Sequence, residues 1–146
     1  MKYKTEVMID LPRDQVVEIF DDPDSLPKWQ EGFVSMEHQS GEYGKAGMVS
    51  LLKYDNNGRK IELTETIESR NLPEAFIAIY ETEGVWNRHE NYFFDEGDTT
   101  RYVTDTEFKC TGFMRLFTLF MPGMFKKETL KQMNAFKTFA EAEAKK

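Results

Sequence analysis

Between Met48 and Cys110 the chain repeats one pattern, and that pattern restricts the fold more than anything else in it. Runs of alternating apolar and polar residues are cut at short intervals by turn residues. Met48–Tyr54 is followed by Asp55-Asn56-Asn57-Gly58, and Arg59–Ser69 by Asn71-Leu72-Pro73. Phe76–Thr82 and Val85–Phe94 are joined through Glu83-Gly84, and Glu96-Gly97-Asp98 leads into Thr100–Cys110. Asn-Gly is the strongest of these turn signals, because both positions tolerate positive φ. The segment reads as an antiparallel meander.

The flanks read differently. Residues 3–10 and 33–39 alternate like strands, and Gly41, Gly44 and Gly47 mark a loop after the second. Between them, Pro12 sits where a first helical position is expected, with Val16, Val17 and Phe20 at helical spacing. A second short helical piece over residues 24–29 contains Pro27. After Gly112 the chain is helical, with a break at Pro122-Gly123 and then a long stretch free of Gly and Pro. Helices are segregated from strands, so the class is α+β, a single domain over residues 1–146. A sheet of six to seven antiparallel strands curls, and one long C-terminal helix is available to cover its concave face. Such an arrangement leaves a cavity between sheet and helix.

Several local sequences resemble one family. Leu11-Pro12-Arg13-Asp14-Gln15-Val16 opens the first helix, and Lys28-Trp29-Gln30-Glu31-Gly32 follows the second. Gly41-x-x-Gly44-x-x-Gly47 precedes the meander, and Gly58-Arg59 to Thr64-Glu65-Thr66, Gly97-x-Thr99 and the final helix complete the set. Over essentially its whole length the chain resembles the helix-grip proteins of the START, pollen-allergen and polyketide-cyclase superfamily, called SRPBCC. The resemblance implies a curved sheet wrapped around a long C-terminal helix, with two short helices after the first strand. It also implies one of three functions: binding of small hydrophobic molecules or lipids, cyclase or dehydratase chemistry, or chaperone activation. These marks are architectural, and fold alone does not decide among the three.

Composition excludes other classes. The chain has 146 residues, a formal net charge of -7 and 40% apolar residues. It is too apolar for a disordered chain and too acidic for a general nucleic-acid binder. A lone cysteine, Cys110, makes no internal disulfide. The two histidines lack zinc spacing, Asp55-Asn56-Asn57-Gly58 places its Gly too early for a calcium loop, and the glycine triplet lacks a dinucleotide-binding context. No metal or cofactor is expected. Neither a secretory signal nor a spanning segment is visible, so the expected location is the cytoplasm.

Strand parity nominates the cavity residues. In Arg59–Ser69, Lys60, Glu62, Thr64, Thr66 and Glu68 form the solvated face, so Leu63 and Glu65 point inward with Ile61 and Ile67. An acid facing an apolar space has its neutral form favoured, which suits a general acid or a ligand contact; a structural partner satisfies it equally well. In Val85–Phe94 the uncharged set Asn87, His89 and Asn91 is taken as inward, against Arg88 and Glu90. The same rule turns Phe76 and Tyr80 inward on one strand, and Thr104 and Phe108 on another. The final helix offers Phe125 and Met133 at helical spacing, and Phe117, Phe120 and Met121 cluster beside Pro122-Gly123 as a gate or as core.

The expected partner is a small hydrophobic molecule, with Glu65, Tyr80, Asn87, His89 and Asn91 orienting its polar end. Entry is expected to need movement at Pro122-Gly123 or the Gly41–Gly47 loop. For an enzyme, Glu65 and His89 are the candidate acid/base pair. An interaction module instead predicts a filled interior and an exposed apolar patch near the kink. Residues 113–146 hold six of the 12 Phe, four of the eight Met and a charge of +4 in an acidic chain. That segment fits either transient contact with an anionic membrane surface or an ordinary solvated helix face.

Overall fold

The computed structural model describes residues 1–146. Strand β1 (Lys2–Ile9) is followed by helix α1 (Arg13–Phe20), a 3-10 turn at Pro23–Ser25, and the short helix α2 (Leu26–Trp29). Six strands then run in succession: β2 (Phe33–Ser40), β3 (Val49–Asn56), β4 (Arg59–Asn71), β5 (Ala75–Thr82), β6 (Val85–Asp95) and β7 (Thr100–Cys110). Helices α3 (Phe113–Phe120) and α4 (Gly123–Glu143) follow. The strands form one sheet in the order β1-β7-β6-β5-β4-β3-β2, with every adjacent pair antiparallel. The α1–α2 passage therefore carries the chain from one sheet edge to the other. This is the helix-grip α+β arrangement, with seven strands.

Local chemistry sets the boundaries. Pro12 is the cap of α1 rather than its first residue: its backbone is extended, and its carbonyl accepts from the Gln15 and Val16 amides at 3.1 and 3.2 Å. The helical piece over residues 24–29 is two pieces, because Asp22 caps the Asp24 amide at 3.0 Å and closes a 3-10 turn before α2 begins. Asn57 and Gly58 both have positive φ, 56° and 91°, as a tight β3–β4 hairpin needs. Gly41 is required for closeness: a Cβ there would stand 2.7 Å from the Gly47 carbonyl oxygen.

The core sits at the β1–β7 side. Val7, Ile9, Val16, Phe93, Tyr102, Met133, Phe136 and Ala140 form one buried cluster. Phe20 packs edge-on against it, with ring centroids 5.0 Å from Phe93 and 5.7 Å from Phe136. Helix α4 lies chiefly against β1, with smaller contacts to α1 and α2. Met133, expected on the cavity wall, belongs to this core and is 4% exposed. The reason is helical phase: each four-residue step turns about 40° around the axis, so the row begun at Phe125 and Thr129 has rotated about 80° by Met133.

Over β3, β4, β5 and β6 the concave face is hollow. Leu63, Glu65, Phe76, Tyr80 and His89 point inward by parity, yet remain only partly buried. The convex face carries the charges, including Arg88 bonded to Glu68 and Glu90.

Candidate functional site

The hollow is a cavity of about 600 Å³ between sheet, α2 and α4, with 18 of its 34 lining residues hydrophobic. That volume is within the ordinary range for small-molecule sites, about 300–1,000 Å³. A smaller hollow of about 370 Å³ shares Pro23, Met36, Tyr43 and Met48 with it and forms a vestibule beside the Gly41–Gly47 loop.

Sheet register organises the wall into rungs. Ser50, Glu65, Tyr80, Asn87 and Phe108 stand opposite one another across β3, β4, β5, β6 and β7. On one side of this polar rung lie Leu52 and Leu63; on the other lie Ile67, Ala78, His89 and Thr106. A polar rung thus crosses the floor, apolar on the Leu52–Leu63 side and joined by His89 and Thr106 on the other. The Oδ1 atom of Asn87 and the Oγ atom of Ser50 are buried without a hydrogen-bond partner. The Trp29 Nε1 donor on α2 is also buried and unpartnered. Unmet buried polar atoms cost about 1–3 kcal/mol each; Asn87 and Trp29 line the cavity and Ser50 lies behind it.

Burial favours the neutral form of each titratable group on the floor. Burial pushes the Glu65 carboxyl up from its ordinary value, with Tyr80 across the strand partly offsetting it. Burial, reinforced by Glu65, pushes the Tyr80 and Tyr54 phenols well up. Burial lowers His89 from 6.5 to about 4, so its imidazole is neutral near pH 7. The His89 ring packs edge-on to Tyr80 at 5.6 Å, and its Nδ1 lies 3.4 Å from the Thr106 hydroxyl. Tyr80 therefore stands between Glu65 and His89. Two ion pairs lie at the rim, Arg70 with Asp21 and Lys131 with Glu31 at 3.4 Å, and Glu128 on α4 lines the cavity outside any ion pair.

Of the residues nominated from sequence, the cavity wall brings together Leu63, Glu65, Phe76, Tyr80, Asn87, His89, Asn91, Phe108 and Phe125. Asn91 lies on the wall, but its amide is committed to the sheet. It accepts from Tyr102 Oη at 2.9 Å and Thr104 Oγ1 at 3.0 Å, and donates to the Phe76 carbonyl at 3.2 Å. Thr104, expected as a polar point in the cavity, is 1% exposed and lies behind Asn91, off the wall. Phe120 and Met121 are also off the wall and stand exposed, because the break at Met121–Pro122 turns that end of α3 outward. Phe117 reaches inward only as far as Phe125, at 6.1 Å between ring centroids.

Sequence reasoning missed Tyr54, whose hydroxyl donates to Gln30 Oε1 at 2.8 Å, and Trp29 and Arg70. Tyr54 was within reach of the parity rule, since it alternates with Lys53 and Asp55. Arg70 was not, because a bulge between Ile67 and Ser69 shifts the register of β4.

Comparison with known proteins agrees with this architecture. A model of the family described as polyketide cyclase / dehydrase and lipid transport matches residues 1–141, and the chain belongs to that family. No functionally curated protein matches the chain. Its structure is similar to the Zhui aromatase/cyclase from Streptomyces sp. R1128, at 16% identity and a TM-score of 0.77, covering 99% of this chain and 95% of that one. It is similar to Ara h 8.0201 at 12% identity, TM-score 0.77, covering 97% of this chain and 98% of that one. A START superfamily protein from Mycobacterium smegmatis is similar at 13% identity, TM-score 0.74, with 97% of each chain covered. At these identities the likeness shows the fold.

Proposed function

We propose that this member of the polyketide cyclase / dehydrase and lipid transport family binds a small, uncharged and largely apolar molecule in the cavity. The observation that carries the reading is the polar rung with an unpartnered Asn87 carbonyl, set in an apolar hollow of about 600 Å³. Burial of apolar surface supplies affinity, and the polar end of the ligand meets the Asn87 side chain on the wall. Tyr80 beside it offers a hydroxyl to a ligand oxygen. An anionic ligand is disfavoured, because Glu65 and Glu128 line the cavity and its two cations, Arg70 and Lys131, are already paired with Asp21 and Glu31.

The test is native mass spectrometry of the purified protein, followed by extraction of any co-purified molecule and titration of an environment-sensitive apolar dye. The reading expects an apolar, uncharged molecule or saturable dye binding weakened about tenfold by Asn87→Ala. A protein that is always empty and binds no dye would sink it.

A second reading, cyclase- or dehydratase-like catalysis, is supported by the presence of both Glu65 and His89 on the wall. Glu65 is suited to act as the acid. His89, held near 4, is a weak base at neutral pH, which favours binding over chemistry. The interaction-module reading expected a side-chain-filled interior and an exposed apolar patch near the kink; the patch is present, and the open cavity weighs against the reading.

A further inference from the structure

Helix α3 and the first turn of α4 make a surface that the ligand cavity does not use. Phe113, Leu116, Leu119, Phe120, Met121 and Met124 are exposed, the two Phe at 78% and 81%. Twelve large apolar side chains are exposed in the whole molecule, so half of them lie within these twelve residues. No residue of α3 is buried, and its main packing partner is β7. The same stretch, residues 113–127, carries Arg115, Lys126 and Lys127 and no acid, against -10 for the rest of the chain. None of these three cations is in an ion pair.

We infer that this surface docks on an anionic lipid bilayer, with the apolar side chains of α3 seated in the interface and the three cations at the headgroups. Three arguments favour a bilayer. An apolar helix flanked by basic residues is the composition of an interfacial anchor, and it combines the two signals that stable but reversible attachment needs. The charge asymmetry orients the molecule: the acidic remainder is repelled by the surface that attracts residues 113–127. A second copy of the chain is disfavoured as occupant, because a two-fold pairing sets each patch against itself and brings six cations together. An acidic protein is disfavoured because the patch has one Arg and neither Trp nor Tyr, the residues that anchor protein interfaces.

Vesicle flotation tests this on the full chain, using phosphatidylcholine with and without phosphatidylserine at about two to one. The inference expects co-flotation with the anionic vesicles at about 0.05 M salt, and loss of it at about 0.5 M or without phosphatidylserine. Lys126→Ala/Lys127→Ala weakens attachment about 30-fold, at about a kilocalorie per cation near the surface. Leu119→Ser/Phe120→Ser abolishes it, while leaving the circular dichroism spectrum and the melting temperature unchanged, since both side chains are exposed. Three outcomes overturn the inference. They are a folded wild-type protein that stays off the anionic vesicles at low salt, flotation that survives Leu119→Ser/Phe120→Ser, and a dimer in light scattering that the same variant dissolves.

Discussion

Replacing His89 with Gln is expected to remove a defined part of the protein's acid sensitivity. The imidazole lies on the cavity wall, and burial lowers it from 6.5 to about 4. The unfolded chain therefore binds this proton more tightly than the folded one. Stability from His89 is complete above its unfolded value and is lost as pH falls through the window from 6.5 toward 4. Over the full window the difference corresponds to about 3 kcal/mol, and between about pH 8 and pH 5 linkage gives about 2 kcal/mol. The assay is urea unfolding of wild type and His89→Gln at both pH values, followed by intrinsic tryptophan fluorescence. Comparing the two proteins cancels the carboxylates and His38, which are common to both. Wild type should lose about 2 kcal/mol more than the variant on acidification. Equal losses, or a His89 ring proton titrating near 6.5 by NMR, would falsify the claim that burial holds the ring below its ordinary value.

Other perturbations separate function from scaffold. Glu65 has the opposite sign: its raised carboxyl makes the folded chain hold the proton, so its contribution is full below 4.5 and is lost as pH rises through the raised value. Glu65→Gln should therefore raise the urea midpoint at pH 8 and leave it nearly unchanged at pH 4. Asn87→Leu should stabilise the ligand-free protein by about 1 kcal/mol, by removing an unpaired buried carbonyl, while weakening dye binding. Asn91→Leu should instead cost about 2–4 kcal/mol in thermal or urea unfolding, because Tyr102, Thr104 and the Phe76 carbonyl lose their partner. Phe136→Ala should cost about 3–5 kcal/mol in the same assay, since it hollows the core against Phe20 and Trp29.

The sheet floor was legible in the sequence because a strand's period is two and one face of each strand is charged. Lys60, Glu62 and Glu68 outside fix Leu63 and Glu65 inside, and Arg88 and Glu90 do the same for Asn87 and His89. Parity gives a direction but no partner, so it grouped Asn91 and Thr104 with the ligand-facing residues when they bond to each other. It also fails across a bulge, which is how Arg70 was missed. In the helices the limit is phase. The break at Pro122-Gly123 resets rotation between α3 and α4, and nothing in the residue spacing says whether Phe120 then faces the cavity or the outside.

Core and cavity occupy different halves of the same sheet. Phe93, Tyr102 and Phe136 hold the β1–β7 side together, whereas the seam between α4 and the chain after α2 carries the exposed Lys131–Glu31 pair. An exposed pair of this kind contributes at most about 1 kcal/mol, so the Glu31 end of the seam is held weakly, while Trp29 on Phe136 ties its other end to the buried cluster. On the proposed binding reading, guest exchange would proceed by local breathing below the free energy of unfolding. The same division gives the chain room to evolve: side chains on the β3–β5 floor can be exchanged for others, and selectivity can drift from one guest to another, while the half that holds the fold together stays as it is.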